Sequence, residues 1–405
     1  MSSALATHRH DIRVMGAIGI AHSFSHFYQL ALAPLFVLIG AELGVTNVEL
    51  GLLITVFFVA SAGFQTPAGF LTDRIGARPV LIGGLVLLSL SVAGYSLTPN
   101  YETLLILVFL AGTGNSVFHP ADFSLMNQII SPNLMGRAYS IHSLGGHAGF
   151  ALAPLIMAPL AVWAGWREAL LIAGLAGLAL ALVLILMGSA FFFESRPRKP
   201  PKQTDSVRTG IALLFKPAIL GFFVFFVLFA MATIGLHQFT PLALVQDQAL
   251  SLVAANAAIF AFLIGSPAGI LAGGVVADRM GHHLEIAGAG CFLCVSILVL
   301  GIGWLDITGM GLYAAFGLAG FIFGMAIPSR DMVVRSVTPE GASGRVFGFV
   351  YGGLDTGAAI TPLLYGWFLD LQHPDWVFLS SGLLFLLAGA FMIGTAKIVV
   401  SPRPS

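Results

Sequence analysis

Charge is scarce in this sequence. Lys plus Arg number 18 and Asp plus Glu 18 among 405 residues, so 9% of the chain is charged and the formal net charge is zero. A water-facing globular surface uses roughly 25% charged residues, so most of this chain must meet a solvent other than water. The missing basic excess argues against nucleic-acid binding. Cysteine is nearly absent. Cys291 and Cys294 stand three apart in one apolar run, which excludes a disulfide scaffold and reads as small helix-core residues rather than a redox or metal pair. There is no H-E-x-x-H, no G-x-S-x-G and no phosphate-binding loop of the Walker type, so neither a hydrolase nor an ATP-driven pump is indicated. No resident metal or cofactor is expected.

What is present is apolar. Hydrophobic residues make up 58% of the chain and the mean hydropathy is +0.95. Runs of about 20 apolar residues, each enough to cross a bilayer, fall near 14–38, 48–70, 79–97, 102–128, 139–161 and 168–189. They recur near 217–244, 251–275, 284–304, 309–334, 345–369 and 376–397. The expected fold is all-α, with twelve membrane helices in two bundles of six. The expected division is an N-terminal bundle at 1–190, a hydrophilic linker at 191–216 rich in Arg, Lys and Pro, and a C-terminal bundle at 217–405. No cleavable leader is expected, because Arg9 and Arg13 lead directly into the first long apolar run.

Orientation follows from the cations. With both termini cytoplasmic, Arg9, Arg13, Arg74, Arg78, Arg137, the linker cations, Arg279, Arg345 and Lys397 fall inside. Glu42, Glu49, Glu102, Asp247, Asp306, Asp370 and Asp375 fall outside, and Arg167 is the lone outer cation.

The two halves repeat. Gly69-x-x-x-Asp73-Arg74-x-Gly76, followed by Arg78, returns as Gly274-x-x-x-Asp278-Arg279-x-Gly281 (278 − 73 = 205). Pro120 matches Pro328, Arg137 matches Arg345 and Pro154 matches Pro362, all at an offset of 208. Pro34 and Pro241 sit alike in helices one and seven (241 − 34 = 207). Repeats of this kind are typical of transporters, with the site between the halves. Gly69 and Gly76 suit close approach and a tight turn. Asp73 and Asp278 suit the positive N-terminal ends of helices eleven and five, where they would latch the cytoplasmic side shut.

Ionisable side chains at bilayer depth are costly, so each is a candidate for function. The first helix carries His22, His26 and Gln29 on one face, beside Tyr28. The fourth carries His119 and Asp122, the fifth His142 and His147, and the seventh His237. The tenth carries Arg330 and Asp331, and the eleventh Asp355. The substrate- or proton-binding set singled out is His22, His26, Tyr28, Gln29, His119, Asp122, His147, His237, Arg330 and Asp355. The histidines fit three roles: carrying a coupling proton, ligating a transition metal, or hydrogen-bonding within the core. Asp122 and Arg330 are repeat equivalents (330 − 122 = 208), so they suit a gate ion pair, or Arg330 suits an anionic substrate. Phe24, Phe27, Tyr28, Phe118 and Phe239 suit either substrate stacking or core packing.

The duplicated loop resembles the signature loop of the major facilitator superfamily, with Ala77 and Pro79 departing from its pattern. The resemblance implies two six-helix bundles rocking about a cavity lined by helices one, four, seven and ten. The run Gly112-Thr113-Gly114-Asn115-Ser116-Val117-Phe118-His119-Pro120 is similar to the fourth helix of the fosmidomycin-resistance branch. Gly145-Gly146-His147-Ala148-Gly149 with Pro154, and Ser25-His26, resemble that branch too. It departs at Ala121, where the branch has Glu, and at His147, where it has Asn. The branch implies a bacterial inner-membrane, proton-coupled antiporter that expels small anionic or amphipathic compounds such as antibiotics. The alternative is proton-coupled uptake of a small organic acid or metal complex. The expected partners are a small-molecule substrate, protons and the lipid bilayer, with no nucleic acid, and a monomer is expected.

Overall fold

The structure, a computed structural model, describes residues 2–131, 134–188, 215–280, 284–305, 307–336 and 343–400. Most of the expected linker therefore lies outside the described residues. The described regular structure is helical throughout. The chain clusters into two compact units, Met1–Val45 with Leu52–Pro200, and Thr46–Gly51 with Pro201–Ser405.

The first unit holds α1 (Ser2–Leu30), a 3-10 turn at Ala33–Leu35, α2 (Phe36–Leu43), most of α3 (Asn47–Ile75), α4 (Ala77–Tyr95), α5 (Tyr101–Asn115), α6 (Phe118–Ile129), α7 (Met135–Ala164) and α8 (Trp166–Leu186). The second holds α9 (Pro217–Gln248), α10 (Leu252–Met280), α11 (Leu284–Trp304), α12 (Gly309–Ser336), α13 (Ser343–Asp370) and α14 (Asp375–Val400). Among the described residues, eleven segments are long and apolar enough to cross a membrane. The 28-residue α13 has the length to be a twelfth.

Two expected spans are interrupted, each just before a proline. Proline removes its own N–H and crowds the carbonyl four residues back. For Pro34 that carbonyl belongs to Leu30, the last residue of α1. For Pro120 it belongs to Ser116, just past the end of α5. The equivalent Pro328 lies inside the continuous α12. Ser116 adds a hydroxyl bond of 2.7 Å to the Thr113 carbonyl, which tightens the turn. Its repeat counterpart, Gly324, has no side chain to do this.

Within each unit the helices meet through glycine. In α7, a Cβ on Gly145 would strike the Gly19 carbonyl of α1, and one on Gly149 the Ser23 carbonyl. In the second unit, Gly353 and Gly357 of α13 lie against the Phe223 and Val227 carbonyls of α9 in the same way. The offsets are 208 for α7 and α13 and 204 for α1 and α9 (353 − 145 and 223 − 19). Small residues four apart let backbones touch where no hydrophobic effect drives helices together. The outward faces stay apolar: Leu171, Leu175, Leu182 and Leu186 of α8 and Ile286, Leu293 and Ile297 of α11 are exposed, as lipid requires. Cys294 lies on that outer face and Cys291 is half-buried, so the pair is not the core packing expected of it.

The segment Thr46–Gly51 groups with the second unit because Asp370 caps the start of α3. Its carboxylate accepts from the Asn47 N–H at 2.8 Å, the Asn47 amide at 2.8 Å and the Val48 N–H at 2.9 Å.

Candidate functional site

The break in the fourth span places His119 and Asp122 in the first turns of α6. The glycine contact between α1 and α7 brings His22 and His142 to the same point. Asp122 is fully buried, and His22 and His142 are 2% and 5% exposed. His142 Nε2 lies 3.1 Å from Asp122 Oδ2 in a hydrogen bond. His22 Nδ1 is also 3.1 Å from that oxygen, but makes no hydrogen bond. The His22 and His142 rings stack with centroids 3.6 Å apart. His26 is 4.5 Å and His119 5.2 Å from His22, centroid to centroid. His119 is the exposed member of the group. Among the described residues, four buried atoms in this cluster have no hydrogen-bond partner: His22 Nδ1, Asp122 Oδ1 and both ring nitrogens of His26.

One turn along α1 the polarity continues. Ser25 Oγ donates to Asn115 Oδ1 at 2.6 Å, and the Asn115 amide donates to Ser61 Oγ at 2.9 Å. Gln29 reaches Ser25 and Asn115 at 3.4 Å each. Tyr28 turns the other way. Its hydroxyl donates to the Ala173 carbonyl of α8 at 2.8 Å and lies 3.4 Å from Ser89 of α4, so in the first unit it joins helices. His147, half-buried, bonds through Nδ1 to the Ser143 carbonyl of its own helix at 2.9 Å. His142, which the sequence ranked below His147, is the residue that holds Asp122. Phe118 and Phe239 are core residues. Phe24 and Phe27 line an apolar cavity of about 180 Å³ with Leu152, Ile156 and Met157.

In the second unit Arg330 is 8% exposed. Its Nε lies 2.8 Å from Asp331 Oδ1, which also accepts from the Tyr351 hydroxyl at 2.9 Å. The guanidinium carbon sits 5.1 Å from the centre of the Phe226 ring and 4.9 Å from that of Phe229, within cation–π range. Asp355 is half-buried, one turn beyond Tyr351 on the same helix face. Among the described residues it makes no hydrogen bond or ion pair. His237 is buried, with the Phe262 ring edge-on at 5.8 Å.

The loop residues divide differently. Gly76 has φ +92° at the start of α4, a conformation glycine adopts without strain. Arg78 donates to the Leu184 and Ile185 carbonyls at 3.1 Å, capping the C-terminal end of α8. Arg74 is exposed. A Cβ on Gly69 or Gly274 would meet nothing within 4 Å, so Gly69 is not the close-approach point expected of it. The side chains of Asp73, Asp278 and Arg279, and Gly281 as a whole, lie outside the described residues.

Known proteins share this architecture. A family model of the Major Facilitator Superfamily matches residues 18–325 and 239–405. The fosmidomycin resistance protein of Escherichia coli is 29% identical over 88% of this chain and 87% of its own. The hexuronate transporter of Bacillus subtilis is 22% identical over 90% of this chain and 88% of its own. A bacterial homologue of the human lysosomal transporter Spinster, in an inward-facing and occupied conformation, superposes with a TM-score of 0.77 at 15% identity. It covers 96% of this chain and 98% of that one. With that fold, its apolar helices and its repeated halves, the chain belongs to the Major Facilitator Superfamily of membrane transporters.

Proposed function

We propose that this transporter expels small anionic or amphipathic compounds, antibiotics among them, in exchange for protons. Arg330 carries the reading. A buried guanidinium at bilayer depth is expensive and marks a substrate path by default. Here its carboxylate partner among the described residues, Asp331, has a side chain 42% exposed, and aromatic rings lie over the guanidinium. A small anion with an apolar body suits that nest through bidentate hydrogen bonds and ring contact. The similarity to a fosmidomycin resistance protein supports the same substrate class. Asp355, without a partner among the described residues, is the proton carrier in this reading. The protein acts as a monomer in a bacterial inner membrane with both termini cytoplasmic, as the Lys and Arg distribution supports. The two repeated loops, through Asp73 and Asp278, serve as the conformational latch.

A second reading, proton-coupled uptake of a small organic acid, is favoured by the similarity to a hexuronate transporter. It uses the same Arg330, and the imposed gradients decide the direction.

Purified protein in proteoliposomes under an imposed pH gradient tests both readings, with phosphonates, short organic acids and metal ions as the panel. An anion moved against its own gradient, with transport lost in Arg330→Ala, is expected. No gradient-driven movement, or movement indifferent to Arg330, rejects the proposal.

A further inference from the structure

An anion bound at Arg330 leaves the histidine cluster of the first unit unused. We propose that His22, His119, His142 and Asp122 form a binding site for a first-row transition metal ion such as Zn²⁺ or Co²⁺.

The geometry comes first. One ligand nitrogen from each of the three histidines lies within 4.8 Å of the others. Donors of a tetrahedral ion stand about 3.3 Å apart when its bonds are about 2.0 Å, so small side-chain rotations bring the set to bonding distance. Asp122 Oδ2 is already 3.1 Å from both His22 and His142, and makes a fourth ligand. Imidazole with one carboxylate and no thiolate is the donor set of zinc, cobalt and nickel rather than of magnesium or calcium.

The orphaned atoms come second. A hydrogen-bonded structural cluster has its buried polar atoms paired. Here His22 Nδ1 and Asp122 Oδ1 are buried without a hydrogen bond, and His26, beside them, has neither ring nitrogen paired. At bilayer depth no bulk water relieves that cost. A cation held by the cluster satisfies His22 Nδ1 and offsets the charge of Asp122.

The repeat supplies a third argument. The equivalents of His22, His119 and His142 in the second unit are Phe226, Ile327 and Val350 (226 − 22 = 204; 327 − 119 = 350 − 142 = 208). The fold thus tolerates apolar residues at these positions, and the imidazoles of the first unit are not demanded by packing. His119, the exposed ligand, gives an ion its way in.

The proposal is independent of anion transport, and either can fail alone. The test is titration of the tag-free, full-length protein in lipid nanodiscs with Co²⁺ and Zn²⁺. It is followed by equilibrium dialysis and by the visible ligand-field spectrum of bound Co²⁺. A single ion per chain with a nitrogen-rich spectrum is expected. His119→Ala, which opens no core cavity because the residue is exposed, is expected to weaken binding at least 10-fold, as is Asp122→Asn. His373→Ala, at an exposed histidine elsewhere, is the control and should change nothing. No bound ion, an affinity unchanged in both ligand variants, or an equal loss in the His373 control would overturn the site.

Discussion

Asp122 and Arg330 hold equivalent positions in the two repeats (330 − 122 = 208), and each is engaged within its own unit. Asp122 is bonded by His142 at 3.1 Å, and Arg330 is paired with Asp331 at 2.8 Å. The neighbours change with the charge: imidazoles His22 and His142 flank the acid, and Phe226 and Tyr351 flank the base. One pair of buried positions has been filled with opposite charges and matching surroundings. A gate ion pair between Asp122 and Arg330 would have to compete with these partners, whereas an anionic substrate need only share Arg330 with the half-exposed Asp331.

If the substrate is an anion, Arg330 is the position most sensitive to substitution. Charge-assisted hydrogen bonds contribute about 1.5–3 kcal/mol each. Loss of the guanidinium should lower kcat/KM for an anionic substrate about 100-fold, since each 1.36 kcal/mol is tenfold. Arg330→Ala should insert normally and fail to transport. Arg330→Lys, with the charge but not the planar fork, should recover only part of the rate. Initial rates in proteoliposomes at matched protein density measure both.

Asp122 separates hydrogen bonding from charge. Asp122→Ala strands His142 Nε2 in a buried site, at a cost of about 1–3 kcal/mol. Asp122→Asn keeps an acceptor of the same shape and should cost less. Thermal unfolding in nanodiscs should rank the proteins wild type, Asn, Ala in falling stability. If Ala proves as stable as Asn, the His142 bond contributes nothing to the fold.

The helix count and the duplication were legible because membrane spans and repeats are written in long-range composition. The site was legible only in part. His22, His119 and Asp122 stood out as polar residues in apolar runs, but nothing local distinguished His142 from His147, five residues on. The choice between them depends on the register with which Gly145 and Gly149 seat α7 against α1, and that is a tertiary fact. Asn115, which ties Ser25 to Ser61, lies within the fourth-helix run Gly112–Pro120 but carries no charge to mark it. Tyr28 lies beside the polar face of α1 and turns its hydroxyl to the Ala173 carbonyl, an orientation that no local pattern announces. The ends of α5 and α1 show the limit of the proline rule. Pro120 and Pro328 are sequence equivalents, yet Ser116, with a hydroxyl where Gly324 has none, accompanies the break.

Asp355 is the prediction that concerns coupling. If it carries the exchanged proton, Asp355→Asn freezes the site in the neutral state of the protonated acid. Transport should then lose its response to an imposed pH gradient while substrate binding persists. Ionisable side chains on the helices that touch α13 include His237 and Asp247 on α9, Arg330 and Asp331 on α12, Glu49 on α3 and Asp375 on α14. His237→Gln is the necessary companion variant. Full pH dependence retained in Asp355→Asn removes Asp355 from the coupling step, and loss of pH dependence in His237→Gln alone reassigns it.

Arg78 is held at the end of α8, and that contact predicts a stabilising role. Its guanidinium meets two carbonyls at the C-terminal end of α8, the negative end of the helix dipole. A cation there contributes about 0.3–1 kcal/mol, more when partly buried. Arg78→Ala should lower the unfolding temperature modestly and leave the substrate KM unchanged. A large KM change with no loss of stability would return Arg78 to the transport cycle.

The glycines give the sharpest contrast. A Cβ on Gly149 would run into the Ser23 carbonyl, backbone that cannot swing aside, whereas Gly69 faces open space. Gly149→Ala must push α7 away from α1, which also pulls His142 from Asp122 and from the His22 ring. Overpacking typically costs about 1–3 kcal/mol, so Gly149→Ala should unfold at a clearly lower temperature. Its repeat counterpart Gly357→Ala, against Val227, should behave alike in the second unit. Gly69→Ala removes backbone freedom inside a helix and fills empty space, so its stability should hold or rise slightly. Thermal unfolding of the three variants in one lipid composition decides the matter. Equal tolerance at Gly149 and Gly69 would mean that the α1–α7 contact, and with it the geometry of the histidine cluster, is looser than the structure has it.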